Sequence, residues 1–376
     1  MTNDHDDLTS DGTLSVRDDE NDAPMIDGSD LRAIREIDRS EPILEIKDLK
    51  THFFTRAGTV KAVDGVDFTV YPGEIVGLVG ESGCGKSVTS MSVLRLVSEP
   101  GRIVDGQILF KGEDLRDKTS KEMRRIRGDE ISMIFQQPNA SLNPVFTSGT
   151  QISEVFEVHQ GLKRKVGIER AVELLEQVGI PDAPSRAKAY PHELSGGMAQ
   201  RVMIAVALAA GPDLLIADEP TTALDVTIQA QILDLMTELR DELGMAIVLI
   251  THDLGVVAET ADRVAVMYAG QIVEQASTID LFADPAHPYT RGLIGSIPVA
   301  GERREWLDVI PGHVPDLVDL PPGCRFASRC QARVDNDLDI CLHEVPALSE
   351  VAPGHLVRCW LHEPVTETPV EIGAPS

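Results

Sequence analysis

The chain has 376 residues, enough for a large core and for two domains. It holds 61 acidic against 34 basic residues, and the resulting net charge of −27 repels nucleic-acid phosphates and anionic membranes. Its longest apolar runs, 203–210 and 246–250, are far shorter than the ~18–20 residues that span a bilayer. The N-terminus is acidic and polar, unlike a secretory signal, so we expect an intracellular, soluble chain that does not bind nucleic acid.

The acidic surplus is accompanied by scarce lysine, with none after Lys188. This composition is typical of proteins from a high-salt cytoplasm, where the Debye length falls to ~3 Å at 1 M salt and self-repulsion is screened. We therefore hypothesise a halophilic protein. Residues 1–40 hold 12 acids against 4 arginines and predict a disordered, solvating tail, with a helical turn or two over 31–37.

Beyond Pro42 the apolar pattern predicts alternating strands and helices. Strands are predicted over 43–46, 62–70, 74–79, 106–110, 131–135, 213–217 and 245–250, and helices over 86–97, 148–178 and 227–243. The continuous apolar runs suit parallel strands that are covered on both faces. This βαβ alternation predicts an α/β nucleotide-binding domain over 41–284, and the later Pro-, Gly- and Cys-rich texture predicts a small irregular extension over 285–376.

A glycine-rich loop follows the strand predicted over 74–79. Its sequence, Gly-Glu-Ser-Gly-Cys-Gly-Lys-Ser, fits G-x-x-x-x-G-K-[ST]. Backbone N–H groups of such a loop and the following helix dipole bind phosphate, while Lys86 reaches the β- and γ-phosphates and the Ser87 hydroxyl binds Mg²⁺. We expect a nucleoside triphosphate to be bound by Gly80, Glu81, Ser82, Gly83, Cys84, Gly85, Lys86, Ser87 and Val88.

Two acids, Asp218 and Glu219, end the strand predicted over 213–217. A carboxylate at the end of a strand beside a phosphate-binding loop can hold Mg²⁺, often through water, and Asp218 is that candidate. Glu219 can accept a proton from the attacking water as a general base.

Residues 194–201, Leu-Ser-Gly-Gly-Met-Ala-Gln-Arg, resemble the signature motif of ABC ATPases. The other motifs of that family follow in order: Gln136 matches the Q-loop, 223–225 the D-loop and 251–253 the His switch. The resemblance implies the P-loop NTPase fold of ABC type, an α/β fold. It has a parallel sheet core, an antiparallel β subdomain and a helical subdomain over about 138–200.

The resemblance also implies the roles of single residues in ATP hydrolysis. His252 would contact the γ-phosphate and hold the attacking water together with Glu219, and Gln136 would sense Mg²⁺. Phe53 would stack on adenine, with Phe54 as the alternative. We expect Lys86, Gln136, Glu219 and His252 to be the catalytic set, and Ser87, Gln136 and Asp218 to surround Mg²⁺.

A second cassette is needed to complete each site in this family. Ser195, Gly196 and Gly197 open a helix and would offer a hydroxyl, N–H groups and a dipole to nucleotide on the opposing subunit. Asp225, in the D-loop, belongs to the same set. The partner would be a homologous ATPase, in a homodimer or a heterodimer.

Three blocks narrow the resemblance to ABC importers of dipeptides and oligopeptides: 135–144, 286–291, and 321–326 with 329–330. This implies two transmembrane permease subunits, an extracellular peptide-binding protein and a peripheral location on the cytoplasmic face of the cell membrane. Nickel and other small solutes remain alternative cargoes. An ABC ATPase acting on nucleic acid, or a P-loop kinase, is less consistent with the charge and with the signature motif.

Four of the five cysteines lie in the extension: Cys324, Cys330, Cys341 and Cys359. Their spacing, C-x₅-C-x₁₀-C-x₁₇-C, lacks the short C-x₂-C pairs of many zinc and ferredoxin sites. Because some dipeptide-importer ATPases carry an iron–sulfur cluster here, we expect a structural [4Fe–4S] cluster, with zinc or free thiols as alternatives. Cys84 is interpreted as a small residue at a permissive position.

Overall fold

The computed structural model describes residues 40–221, 225–297 and 310–362. The predicted acidic tail, except Ser40, and its helical turn over 31–37 lie outside the described residues. Two D-loop residues, Ala223 and Leu224, also lie outside them.

Twelve strands form two sheets in the described part of the chain. They are β1 Leu44–Thr55, β2 Gly58–Val70, β3 Ile75–Val79, β4 Gly101–Phe110, β5 Glu113–Asp114, β6 Ile131–Ile134, β7 Leu214–Asp218, β8 Ala246–Thr251, β9 Arg263–Tyr268, β10 Gln271–Ser277, β11 Ser349–Ala352 and β12 His355–Val357. The small sheet is antiparallel, in the order β2-β1-β4-β5. The large sheet has the order β11-β12-β10-β9-β3-β8-β7-β6, and its part from β9 to β6 is parallel.

The helices follow the strands as the alternation predicts. They are α1 Lys86–Val93, α2 Ser120–Asp129, α3 Pro138–Ser141, α4 Ser148–Gln160, α5 Arg164–Gln177, α6 Ala183–Arg186, α7 Gly196–Leu208, α8 Val226–Leu243, α9 Leu254–Thr260, α10 Thr278–Ala283, α11 Pro288–Gly295 and α12 Gln331–Asp335. None of the described helices is long and apolar enough to cross a bilayer.

The large sheet is covered on both faces, since alternate side chains of its strands pack into two different cores. In β7, Leu214 and Ile216 pack toward the small antiparallel sheet, in a core that includes Ile46. Leu215 and Ala217, which alternate with them, pack into a second core with the helices of residues 148–208. Burial on both faces explains the continuous apolar runs of these strands. The predicted parallel core and antiparallel sheet are thus confirmed.

Helix boundaries differ from the predictions at two points. The helix predicted over 148–178 is two helices, α4 and α5, because Gly161 takes a left-handed conformation (φ 69°) and ends α4. The helix predicted over 86–97 ends at Val93, and Arg95 is left-handed (φ 51°). The bounds of the helical subdomain, 138–200, stay a prediction.

The C-terminal extension adds strands to the large sheet. β12 pairs with β10, and β11 pairs with β12. The carboxylate of Glu274, on β10, is fully buried and accepts hydrogen bonds from the N–H groups of Ala286 (2.6 Å) and His287 (2.9 Å). His355 Nε2 lies 2.7 Å from the same carboxylate. The extension therefore docks on the cassette through β10, and the boundary near residue 284 stays a prediction.

Candidate functional site

The candidate site lies where parallel strands end at one edge of the large sheet. β3 leads into the loop 80–87, β6 leads to Gln136, β7 ends at Asp218 and β8 leads to His252. Because β3, β8, β7 and β6 are parallel neighbours, their carboxyl ends meet at the same edge. Residues far apart in sequence are thus brought together as the motifs predict.

Close packing under the phosphate-binding loop explains two of its glycines. A Cβ atom at Gly80 would collide with the carbonyl oxygen of Met267, and one at Gly85 with that of Ala62. Both glycines also have positive φ, 152° and 114°. Cys84 is completely buried in the same packing, and its interpretation as a small residue at a permissive position stays a prediction. Burial raises the pKa of the Cys84 thiol, which keeps it neutral.

Lys86 is the first residue of α1, and its side chain packs within the phosphate-binding loop. Its Nζ donates to the carbonyl oxygens of Gly80 (2.7 Å) and Glu81 (3.0 Å), and the residue is only 5% exposed. Ser82 and Gly83, in contrast, are exposed at the tip of the loop. Val88 is partly buried and packs against the core from α1.

Asp218 has the properties of a cation ligand. Its Oδ1 is buried without a hydrogen-bond partner among the described residues. Burial raises the pKa of this carboxyl group, and the neighbouring Ser87 hydroxyl and Lys86 charge oppose that shift. A buried carboxylate oxygen beside a serine hydroxyl fits a hard cation such as Mg²⁺, which prefers oxygen ligands.

Glu219 lies between two of the predicted catalytic residues. Gln136 Nε2 donates to Glu219 Oε2 over 2.8 Å, and His252 Nδ1 lies 3.4 Å from Glu219 Oε1. The Glu219 N–H donates to the carbonyl of Ile250 (2.9 Å), and its φ is +48°, a left-handed conformation uncommon for glutamate. The structure therefore brings Gln136, Glu219 and His252 together as one hydrogen-bonded group.

The signature residues open α7 at a separate position. Ser195 caps this helix and accepts a hydrogen bond from the N–H of Met198 (3.3 Å). Ser195 and Gly196 are exposed, and Gly197 lies against Ile228 at the start of α8. That the start of α7 binds nucleotide on an opposing subunit stays a prediction.

Asp225 caps α8 and accepts a hydrogen bond from the N–H of Ile228 (3.0 Å). It is exposed, and so is its neighbour Val226. Because Ile228 contacts Gly197, the D-loop end and the signature helix form one continuous surface.

The two aromatic candidates for adenine stacking differ in their packing. Phe53 lies on β1 opposite Gly101 and is partly buried. Phe54 is 41% exposed, with the guanidinium of Arg102 4.2 Å from its ring centroid. The assignment of adenine stacking to Phe53 stays a prediction.

The four cysteines of the extension line a single small cavity. Cys324, Cys330, Cys341 and Cys359 share its wall with Phe326 and Arg333. None of them forms a disulfide. Burial raises the pKa of all four thiols, to about 11 for Cys324 and about 12 for Cys359. Across the described residues, no group of three or more His, Cys, Asp or Glu side chains is arranged to hold a metal ion.

Sequence reasoning did not find the contacts between the extension and the phosphate-binding loop. Arg329 forms an ion pair with Glu81, and the Tyr289 hydroxyl accepts a hydrogen bond from the Glu81 N–H. Tyr289 and Arg329 belong to the blocks 286–291 and 329–330, but nothing in those blocks identifies Glu81 as their partner.

Two family models match the chain. The model described as ABC transporter matches residues 63–222, and the model described as oligopeptide/dipeptide transporter, C-terminal region, matches residues 273–336. The first covers the phosphate-binding loop, the signature motif and the acids at the end of β7. The second covers most of β10 and the described extension as far as residue 336.

Curated relatives are similar over nearly their whole length. The oligopeptide transport ATP-binding protein AppD of Bacillus subtilis is 54% identical over 85% of this chain and 97% of its own. The dipeptide transport ATP-binding protein DppD of the same organism is 49% identical over 89% and 98%. A probable peptide ABC transporter ATP-binding protein of Sinorhizobium fredii is 52% identical over 86% and 96%.

Solved structures share the cassette. A dimeric, post-hydrolysis structure of the ATP-binding cassette MJ0796 bound to ADP and phosphate aligns with a TM-score of 0.57 and 27% identity, over 62% of this chain and 98% of that one. The cassette cbiO1 of Clostridium perfringens, part of an ABC transporter complex, aligns with a TM-score of 0.55 and 28% identity, over 65% and 92%.

Proposed function

Because the chain belongs to the ABC transporter ATPase family and carries the C-terminal region of oligopeptide/dipeptide transporters, we propose that it powers peptide import by hydrolysing ATP. The observation that carries this proposal is the hydrogen-bonded group of Gln136, Glu219 and His252 beside the phosphate-binding loop. The names of the relatives support peptides as the cargo.

In the proposed reaction, the loop 80–87 holds the triphosphate through its N–H groups, and Lys86 neutralises the β- and γ-phosphates. Mg²⁺, held by Ser87 and Asp218 and sensed by Gln136, would supply charge stabilisation to those phosphates. Glu219 accepts a proton from the attacking water as the water oxygen bonds to the γ-phosphorus. The bond between that phosphorus and the β–γ bridging oxygen breaks, and ADP and phosphate are formed. His252 contacts the γ-phosphate and helps to orient the same water.

A second cassette completes each site in the proposed cycle. Ser195 and Gly196 are exposed and Gly197 is partly buried at the start of a 13-residue helix, where N–H groups and the helix dipole favour an anion. That anion is the γ-phosphate bound to the partner cassette, with Asp225 at the same interface. The dimeric arrangement of the MJ0796 cassette supports this pairing. The partner is a second copy or a homologous ATPase.

Closure of the cassette dimer would move the permeases. ABC ATPases of peptide importers work with transmembrane permeases, and we propose two such subunits here, fed by an extracellular peptide-binding protein. Three exposed apolar side chains lie in the segment that follows β6 and contains Gln136: Phe135 (37%), Val145 (69%) and Phe146 (46%). A permease segment docked on this surface would link its own motion to the Mg²⁺-sensing glutamine and would hold the chain at the cytoplasmic face of the membrane.

We also propose a structural [4Fe–4S] cluster in the cavity lined by Cys324, Cys330, Cys341 and Cys359. Four thiols around one cavity supply the donor set of such a cluster. A single zinc ion needs its ligands within about 2.3 Å of one point. No group of described side chains has that arrangement, and zinc and free thiols are the alternatives to the cluster. Because burial raises the thiol pKa values, binding would release protons.

Two measurements test these proposals. Purification of the chain from native membranes in mild detergent is expected to yield a complex with multi-spanning permeases that hydrolyses ATP. Recovery of the chain with nucleic acid, or without any membrane protein, contradicts the transport proposal. Anaerobic purification is expected to give a brown protein with four iron and four acid-labile sulfide per chain. A colourless, iron-free protein contradicts the cluster and leaves zinc or free thiols, which metal analysis distinguishes.

A further inference from the structure

One seven-residue segment of the extension faces both the cysteine cavity and the cassette. Its two ends, Cys324 and Cys330, line the cavity. Its two arginines reach the other way: Arg325 pairs with Asp64 on β2, and Arg329 pairs with Glu81 in the phosphate-binding loop. The segment thus connects the cavity to the cassette by two separate contacts, of which only the Arg329 contact reaches the phosphate-binding loop.

The Arg329 side chain is only 5% exposed, and its guanidinium is held both by carbonyl groups of the extension and by Tyr268 on β9. Its Nε donates to the carbonyl of Pro311 (2.7 Å), and its Nη1 lies 3.3 Å from the hydroxyl oxygen of Tyr268. The Glu81 carboxylate accepts from the same Nη1 at 3.0 Å and 3.2 Å. Because these neighbours fix the guanidinium, Arg329 of the extension holds the Glu81 side chain in place.

Glu81 is held at its backbone as well. Its N–H donates to the hydroxyl of Tyr289 over 2.9 Å, and Tyr289 is completely buried. Its carbonyl oxygen accepts from Lys86 Nζ (3.0 Å) and from the N–H of Cys84 (3.3 Å). One residue of the loop therefore has its side chain and N–H bound to the extension and its carbonyl bound to the catalytic lysine.

We propose that Arg329 and Tyr289 are positioning residues of the ATP site, so that the C-terminal extension forms part of that site. By fixing Glu81, they hold the first turn of the phosphate-binding loop in the shape that presents its N–H groups and Lys86 to phosphate. A preorganised loop binds without the entropic cost of ordering, so its loss weakens affinity for nucleotide. The inference rests on the proposed ATPase function.

The variants Arg329→Gln and Tyr289→Phe test this proposal in the full-length chain. Arg325→Gln is the matched control, because Arg325 anchors the same segment with similar burial but contacts Asp64 and Ala269 instead of the loop. For each variant, the dissociation constant of Mg-ATP is measured by calorimetry in a Glu219→Gln background that prevents turnover. Melting temperature without nucleotide reports any general loss of docking.

We expect Arg329→Gln to raise the Mg-ATP dissociation constant about tenfold, the scale of one lost charge-assisted hydrogen bond. Tyr289→Phe should raise it about threefold, a smaller neutral hydrogen-bond effect. Arg325→Gln should stay within twofold of the parent, although it lowers the melting temperature as much as Arg329→Gln does. In an otherwise wild-type chain, Arg329→Gln should raise KM for ATP with kcat nearly unchanged.

A double-mutant cycle separates positioning from general destabilisation. If Arg329 acts through Glu81, Arg329→Gln should have little further effect in a chain that already carries Glu81→Gln. Equal weakening by Arg325→Gln and Arg329→Gln, additive effects in the cycle, or unchanged affinity in Arg329→Gln would each overturn the inference. Failure of the parent chain itself to bind Mg-ATP would instead contradict the proposed function.

Discussion

The side-chain amide of Gln136 donates a hydrogen bond of 2.8 Å to the carboxylate of Glu219. This bond joins a residue two positions beyond β6 to the residue that follows β7, at the sheet edge where the phosphate-binding loop begins. His252 approaches the other carboxylate oxygen from the end of β8. The candidate base is thus held between Gln136, which we propose senses Mg²⁺, and His252, which we propose contacts the γ-phosphate.

Replacement of Glu219 by Gln should abolish ATP turnover without preventing ATP binding. The amide cannot accept the proton of the attacking water, and loss of a general base costs roughly 10²- to 10⁴-fold in rate. ATP should then accumulate in a stable cassette dimer, measurable by size-exclusion chromatography with light scattering. Normal hydrolysis by this variant would exclude Glu219 as the base. Lys86→Ala is the comparison, because it should lose ATP binding and therefore the dimer as well.

The variant Asp218→Asn should be more stable than the parent yet defective with magnesium. Burial raises the pKa of Asp218, so its ionised form costs stability, and above the folded pKa that cost is fully present. Removing the charge should therefore stabilise the nucleotide-free chain at pH 7.5, by about 1 kcal/mol. Melting curves and Mg²⁺-dependent ATP binding measure the two effects. A lower melting temperature would contradict the conclusion that the buried charge of Asp218 lowers stability. Unchanged Mg²⁺ dependence of ATP binding would exclude Asp218 as a metal ligand.

A Gly197→Asp substitution should leave ATP binding to the single chain intact and prevent dimerisation. Gly197 lies at the exposed start of α7, where an added carboxylate would repel the γ-phosphate of the partner's nucleotide. In the Glu219→Gln background, the variant should bind Mg-ATP with parental affinity but remain monomeric. Dimer formation by Gly197→Asp would show that α7 does not face the partner's nucleotide. Loss of ATP affinity in the monomer would place Gly197 in its own chain's site.

The net charge of −27 predicts that the melting temperature rises with KCl. Between 0.1 M and 1 M salt the Debye length falls from about 10 Å to about 3 Å, and repulsion among surface carboxylates falls with it. Sorbitol at matched osmolality serves as the control, because it screens no charge. A melting temperature that is flat or falls between 0.1 M and 2 M KCl contradicts the halophilic hypothesis.

The parallel core and its site could be predicted because the sequence patterns that indicate them are short and continuous. The apolar runs at 213–217 and 245–250 mark strands that are covered on both faces, and Asp218, Glu219 and His252 follow them directly. Each motif is confined to a few neighbouring residues. The shared sheet edge then brings the motifs together, as it must in any parallel sheet.

The remaining features depend on contacts that no local pattern contains. β12 has three residues, too few for a periodic signal, and joins the sheet through Glu274 on β10. Glu81 and Arg329 are 248 positions apart, and each looks like an ordinary surface charge in the sequence. The break at Gly161 lies within a helical pattern that continues on both sides.

Peptide uptake into proteoliposomes tests the central claim most directly. The complex purified from native membranes is reconstituted with ATP on the cassette side and a defined mixture of dipeptides and oligopeptides on the other, together with the binding protein. Mass spectrometry should find peptides on the cassette side in proportion to ATP hydrolysed, and none with the Glu219→Gln complex. Active ATP hydrolysis without movement of any peptide, or peptide movement unaffected by Glu219→Gln, would contradict the account.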